Sequence, residues 1–156
     1  MSIFDFFKRK RDIEIKTEIS DHEKWCKVVD KAINDYKSLS RVERIWFNSR
    51  VVIDATNDGG LISYYYNSGA ENVYDAIEDI EILGKERIVE IIKEFNRIIF
   101  QNIKVPTDID ERNKFIDNLT ENADDKLQVL ESESALIIDD LENRLDEFLK
   151  ENKILE

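Results

Sequence analysis

Carboxylates spaced three, four or seven residues apart are the side chains of this sequence best suited to chemistry. Asp139, Glu142 and Asp146 lie at i, i+3 and i+7, so a helix would place them on one side. Asp140 and Glu147 form a neighbouring row. Rows of carboxylates on rigid helices would imitate the regular negative charge that duplex DNA presents to basic proteins. The full set predicted to bind a partner is Glu71, Asp75, Glu78, Asp79, Asp124, Asp125, Glu131, Glu133, Asp139, Asp140, Glu142, Asp146 and Glu147.

Catalysis and metal binding have less support in the residue types. The only histidine, His22, and the only cysteine, Cys26, are four residues apart, which is half of a soft-metal site. We expect a solvated histidine and a partly buried thiol instead. The motifs of nucleophilic hydrolases, phosphate-binding loops and zinc peptidases do not occur. We therefore expect no enzyme, no cofactor and no catalytic or metal-binding residue, with a carboxylate-based enzyme as the weaker alternative.

The net charge of −12 is concentrated towards the C-terminus. Residues 107–156 carry 16 Asp/Glu against 6 Lys/Arg, whereas residues 1–70 carry 11 against 12. A field of this sign repels nucleic acid and membrane surfaces and attracts basic proteins. We expect a basic protein as partner and no direct binding of nucleic acid. A solvated surface that serves only solubility is the alternative interpretation.

The elements that must carry these side chains are helices. One proline, four glycines and apolar residues at three- and four-residue spacing predict a single all-α domain of six or seven helices over residues 17–156. Capping-box patterns at Ser20, Ser40 and Ser68 predict three helix starts. The apolar band at 85–100 predicts the most buried helix, with a strand as the competing interpretation for 97–105. Residues 120–135 are the least defined, and we expect the last helix to begin at Leu136.

The N-terminal residues 1–16 read as a separate arm or short helix. Ile3, Phe4, Phe6 and Phe7 precede the basic run Lys8–Arg11. Membrane contact by residues 1–11 is the weaker interpretation of that pattern. The sequence has no apolar run long enough to span a membrane and no second cysteine for a disulfide. We therefore expect a cytoplasmic protein.

A glycine- and tyrosine-rich stretch, residues 57–69, separates the amphipathic segments and is here called the corner. Its Gly59-Gly60 pair lacks the lysine and hydroxyl of phosphate-binding loops, so we expect it to end a helix and turn the chain. At least one tyrosine should then enter the core, and Asn67 and Ser68 should start the next helix. The residues predicted to shape the corner are Asn57, Gly59, Gly60, Tyr64, Tyr65, Tyr66, Asn67, Ser68 and Gly69.

The corner also carries a family resemblance. Leu39-Ser40-x-x-Glu43-Arg44, Asn57-x-Gly59-Gly60-Leu61, Tyr64-Tyr65-Tyr66-Asn67-Ser68-Gly69 and Leu83-Gly84 together resemble a bacterial family of domains of unknown function that includes an acidic DNA-mimic protein. The resemblance spans roughly residues 36–152. Ser63 stands where the family usually has glutamine, and the Asn-Ser-Gly end is one residue shorter.

The resemblance implies an all-helical fold, a homodimer and a protein-binding role. In that role the chain would occupy the nucleic-acid site of a basic DNA-binding protein such as a transcription regulator. The alternative is an immunity or antitoxin-like protein that neutralises a basic toxin.

Overall fold

The computed structural model describes residues 20–156, and these form seven α-helices and no strand. The predicted all-α fold of a single domain is confirmed. The predicted arm, residues 1–16, lies outside the described residues. The helices are α1 (20–35), α2 (Arg41–Gly59), α3 (Leu61–Tyr66), α4 (Val73–Ile82), α5 (Glu86–Phe100), α6 (Ile109–Asp117) and α7 (Glu121–Glu151), with 3-10 turns at Tyr36–Ser38 and Ala70–Asn72.

The core lies between α2, α4, α5 and α7. Helix α2 packs against α3, α4 and α7, and α5 packs against α4 and α7. Helix α5 buries seven of its fifteen residues, as its broad apolar band predicts. Helix α5 ends at Phe100, and the next residue, Gln101, adopts a left-handed conformation (φ 49°). The strand alternative for 97–105 is therefore wrong. Within residues 20–156 no helix has both the length and the apolarity to cross a membrane.

Three predicted helix starts have different outcomes. At Ser40 both halves of the capping box form, since the Ser40 hydroxyl accepts from the Glu43 N–H and the Glu43 carboxylate accepts from the Ser40 N–H. Ser20 is the first described residue and is already helical, so the start of α1 lies outside the described residues and the box predicted at Ser20 stays a prediction. The predicted box at Ser68 is wrong. Gly69 has φ 116° and leads into a 3-10 turn, which delays α4 until Val73.

The last helix is longer than the sequence suggests. Helix α7 is a continuous 31-residue helix that begins at Glu121 after the side-chain cap Thr120, not at Leu136. The hydroxyls of Ser132 and Ser134 donate to helix carbonyls of Gln128 and Glu131, so these serines do not interrupt it. Packing against α2 and α5 decides the conformation, because tertiary contacts supply most of the stability of protein helices.

The corner contains the end of α2, the whole of α3 and the turn that follows α3. Gly59 is the last residue of α2, and Gly60 turns the chain with φ 81°. Tyr64 and Tyr65 are buried, whereas Tyr66 is 38% exposed. Asn67 follows the end of α3 and donates to the Ser63 carbonyl, so it does not start the next helix as predicted.

Ser63 supplies the polar contact in this corner. Its Oγ lies 2.7 Å from the Ala55 carbonyl oxygen and 2.8 Å from the Gly60 carbonyl oxygen. The hydroxyl therefore links the end of α2 to the start of α3.

A buried arginine holds the other side of the corner. The Arg112 side chain on α6 is fully buried. Its Nε donates to the Tyr65 carbonyl (3.1 Å) and its Nη2 to the Asn67 carbonyl (3.0 Å). Its Nη1 donates to the carbonyls of Pro106 and Thr107 (both 2.9 Å). One guanidinium thus satisfies backbone acceptors from the end of α3 and from the loop before α6.

Candidate functional site

The thirteen carboxylates predicted to bind a partner divide into two groups according to their contacts within the chain. Eight of them contact a cation or a backbone N–H: Glu71, Asp75, Glu78, Asp79, Glu131, Glu133, Glu142 and Glu147. The other five are exposed and form no salt bridge with another residue of 20–156, and one of them, Asp124, accepts from the neutral side-chain amide of Gln128 at 2.9 Å. These are Asp124, Asp125, Asp139, Asp140 and Asp146, here called the unpaired α7 carboxylates.

Helix α4 carries three of the predicted partner-binding acids, and one of them faces the interior of the fold. Asp79 is completely buried, and it lies 2.7 Å from Arg44 Nη2 and accepts from Asn48 Nδ2 at 2.8 Å. Its assignment to a partner-binding surface is therefore wrong. Helix α4 packs against α2, which carries both Arg44 and Asn48, so this acid neutralises a cation inside the fold. Asp75 and Glu78 lie 3.8 and 3.5 Å from the same guanidinium.

Tyr36 adds a hydroxyl to the group of polar side chains formed by Arg44, Asn48, Asp75 and Asp79. The Tyr36 hydroxyl donates to Asp75 at 3.0 Å and accepts from Asn48 Nδ2 at 2.7 Å. Burial raises the pKa of Tyr36 well above its ordinary value, and the neighbouring carboxylates Asp75 and Asp79 add to the shift. The hydroxyl therefore remains protonated and serves as a donor. We infer that the network joins the α1–α2 connection to α4 and has a structural role.

Three acids on α7 are also held within the fold. Glu131 accepts from the backbone N–H groups of Leu61 and Ile62 and so caps α3. Burial raises the pKa of Glu131, and these two N–H groups offset only part of that shift. Glu142 lies 2.7 Å from Arg50 Nη1. Glu133 is bound by both Nε and Nη2 of Arg87, which lowers the pKa of Glu133.

Two further acids contact arginines more loosely. Glu71 is 4.0 Å from Arg112 Nη2, and Glu147 is 3.5 Å from Arg144 Nη1. Both carboxylates are largely open to solvent. Surface contacts of this kind are weak because water screens them. The arginines therefore neutralise little of the negative charge that these two acids present to solvent.

The unpaired α7 carboxylates form two clusters on one rigid element. Asp124 and Asp125 lie in the first turns of α7, and Asp139, Asp140 and Asp146 lie in its second half. Leu127, Ile138 and Leu141 are buried on the inner side of the helix, which turns the acids outward. The predicted row of Asp139, Glu142 and Asp146 is divided, because Glu142 turns towards Arg50 on α2. Asp139 and Asp146 remain on the outside, about 10 Å apart along the axis.

Sequence reasoning missed part of the negative surface near the start of α7. Asp117 and Glu121 are exposed and form no salt bridge within the described part of the chain. The Tyr66 hydroxyl donates to Asp117 at 3.3 Å. Thr120 would have given the signal for Glu121, because a capping threonine marks a helix start and the helix dipole favours acids in the first turn that follows. Asp117, the last residue of α6, has no such signal.

The two residues that could have formed part of a metal site face solvent. Cys26 Sγ lies 3.6 Å from His22 Nε2. Cys26 is exposed, so the predicted partly buried thiol is wrong. Its position on the outer side of α1 explains the difference. Among residues 20–156 no group of three or more His, Cys, Asp or Glu side chains is placed to hold a metal ion.

Comparison with known proteins supports the resemblance carried by the corner. No curated protein and no solved structure matches the chain. The sequence model of the family described as DMP19-like protein matches residues 37–152. This range contains every helix from α2 to α7, including the corner and the unpaired α7 carboxylates. The chain therefore belongs to the DMP19-like protein family.

Proposed function

We propose that this chain is a DNA mimic that binds a basic DNA-binding protein through α7 and occupies its nucleic-acid site. The observation that carries the proposal is the set of unpaired α7 carboxylates. Five acids face solvent on one helix without a salt bridge, while the other eight of the thirteen candidates contact a cation or a backbone N–H of the described chain. Membership of the DMP19-like family supports the same role. The proposal includes a cytoplasmic location, a homodimer and no catalytic activity.

The charges suit this role because they are fixed in space. A basic protein that binds DNA neutralises the phosphate charges with Lys and Arg side chains. Carboxylates on a continuous helix can meet such residues without first being ordered, which lowers the entropic cost of binding. Because the charges are exposed, they should mainly increase the association rate, and binding should weaken as salt rises.

Affinity capture at low salt tests the class of partner. The full chain is immobilised, exposed to a lysate of its native cell and eluted with rising salt, and the eluted proteins are identified by mass spectrometry. We expect nucleic-acid-binding regulators in the salt-sensitive fractions. Recovery of a basic toxin would support the immunity alternative. Recovery of a small metabolite or an uncharged partner would overturn the proposal.

A competition assay with the captured regulator tests the site. The chain should displace a labelled operator duplex from the regulator, and the triple substitution Asp139→Asn, Asp140→Asn and Asp146→Asn should weaken displacement about tenfold. The matched control removes three exposed acids of α1 by Glu23→Gln, Asp30→Asn and Asp35→Asn. Equal losses in both variants would show that only net charge matters, and would refute a site on α7.

A further inference from the structure

A groove with an apolar floor and an acidic rim lies between α3, α6 and the first half of α7. Its volume is about 860 Å³, which is within the usual range for ligand sites. The half-buried side chains of Ile62 and Leu119 provide apolar surface, and beneath them lie the buried side chains of Ile116 and Leu127. Tyr66 also lines it and is 38% exposed.

The charge at this groove has one sign. Glu121, Asp124 and Glu131 line it, and no Lys or Arg is among its lining residues. Glu131 is engaged with the backbone of α3. Glu121 and Asp124 form no salt bridge with another described residue, and Asp117 lies beside the rim through its hydrogen bond to Tyr66. The rim therefore presents negative charge that the fold does not neutralise.

We infer that this groove receives an arginine-bearing, amphipathic segment of the basic partner. This inference rests on the proposed function and adds a defined anchoring site to it. The apolar positions and the arginine stem cover the floor, and the guanidinium reaches Asp124 and Glu121. Arginine suits the site better than lysine because its planar group binds carboxylates in a bidentate manner and stacks on aromatic rings such as Tyr66. Buried arginine and aromatic contacts commonly dominate the binding energy of protein interfaces.

Two synthetic peptides of equal length and equal arginine content serve as probes. In the first peptide, leucines recur every three or four residues so that they share one face of a helix, and arginines stand between them. In the second peptide, glutamine replaces every leucine. Binding to the ¹⁵N-labelled full chain is followed by NMR. We expect the leucine peptide to bind about tenfold more tightly and to shift the amides of Ile62, Tyr66 and Leu127. Equal affinity of the two peptides, or shifts confined to the second half of α7, would overturn the inference.

Substitutions at the rim give a second test. Glu121→Gln with Asp124→Asn should weaken the leucine peptide about fivefold, whereas Asp139→Asn with Asp146→Asn should change it less than about twofold. The reverse order would overturn the inference.

Operator displacement separates this inference from the proposed function. If the variant Glu121→Gln with Asp124→Asn still displaces the operator fully and the variant Asp139→Asn with Asp146→Asn does not, the groove inference fails and the proposed function stands. If the peptide binds in the groove as expected but the chain displaces no operator, the groove stands and the proposed function fails.

Discussion

Replacing Arg112 by methionine should destabilise the protein strongly, because four backbone carbonyls depend on its guanidinium. The side chain is fully buried and donates to Tyr65, Asn67, Pro106 and Thr107. Hydrogen bonds from a charged donor contribute about 1.5–3 kcal/mol each, so four give roughly 6–12 kcal/mol before opposing costs. Burying the cation costs several kcal/mol, which offsets part of this gain. Each buried carbonyl left without a donor costs about 1–3 kcal/mol, so we expect a net loss of about 3–5 kcal/mol.

A loss of this size is a large part of the stability of an ordinary domain, about 5–15 kcal/mol. Equilibrium urea unfolding is the assay. With a slope of about 2 kcal/mol/M, the midpoint of Arg112→Met should fall by about 2 M. Hydrogen exchange should also accelerate in residues 65–69 and 105–109, which the guanidinium connects. Arg97→Met is the matched control and should leave the midpoint unchanged, since Arg97 is exposed and its salt bridge within residues 20–156 is with Glu94, three residues away.

The reasoning would be refuted by a loss below about 1 kcal/mol for Arg112→Met, which is the size of an ordinary substitution. Unchanged hydrogen exchange around the corner would refute it equally. Arg112→Lys separates charge from geometry. The ammonium keeps the charge but cannot reach four carbonyls arranged around a planar fork, so most of the loss should remain.

Two further predictions concern the contact between the corner and α7. Gly60→Ala places a Cβ 2.0 Å from Glu131 Oε2, at φ 81° and ψ 167°, a backbone conformation essentially restricted to glycine. The loss of the Glu131 cap and the backbone strain together should cost about 3 kcal/mol in urea unfolding. Gly84→Ala, with φ 72° and open space around it, should cost only about 1 kcal/mol, and equal costs would contradict both causes. Because burial raises the pKa of Glu131 in the folded protein, its contribution to stability should increase as the pH falls through the window from that raised value to the ordinary carboxyl value. The difference in unfolding free energy between the wild type and Glu131→Gln should therefore be larger near about pH 5 than near about pH 7, and a smaller difference at the lower pH would contradict the assigned cause.

The fold was accessible from the sequence because its signals are local. Apolar spacing along 86–100 and the reciprocal cap of Ser40 and Glu43 each specify a helix without knowledge of distant residues. The region of residues 120–135 was not accessible in this way. Ser132 and Ser134 lower helix propensity there, and the packing of α7 against α2 and α5 is visible only in three dimensions.

The candidate site was less accessible, because pairing of charges depends on which helices meet. Asp75 and Asp79 look alike in sequence, yet Asp79 is buried against Arg44 and Asp75 is partly exposed. Likewise, Glu142 has the same spacing as its exposed neighbours but meets Arg50 of α2. Helical periodicity assigns a face to each acid, and only the tertiary structure shows whether a cation lies opposite that face.

The continuity of α7 also sets a length scale for whatever binds it. Asp124 and Asp146 are 22 positions apart on one unbroken helix, so their Cα atoms are separated by about 33 Å along the helix axis. Around that axis their side chains leave the helix in directions that differ by about 40°. One turn of B-DNA, the spacing between the half-sites of a dimeric helix-turn-helix regulator, is about 34–36 Å. A regulator whose two basic surfaces are spaced for adjacent major grooves would thus meet Asp124 with one surface and Asp146 with the other. A break in the helix near Ser132 would have removed that fixed distance.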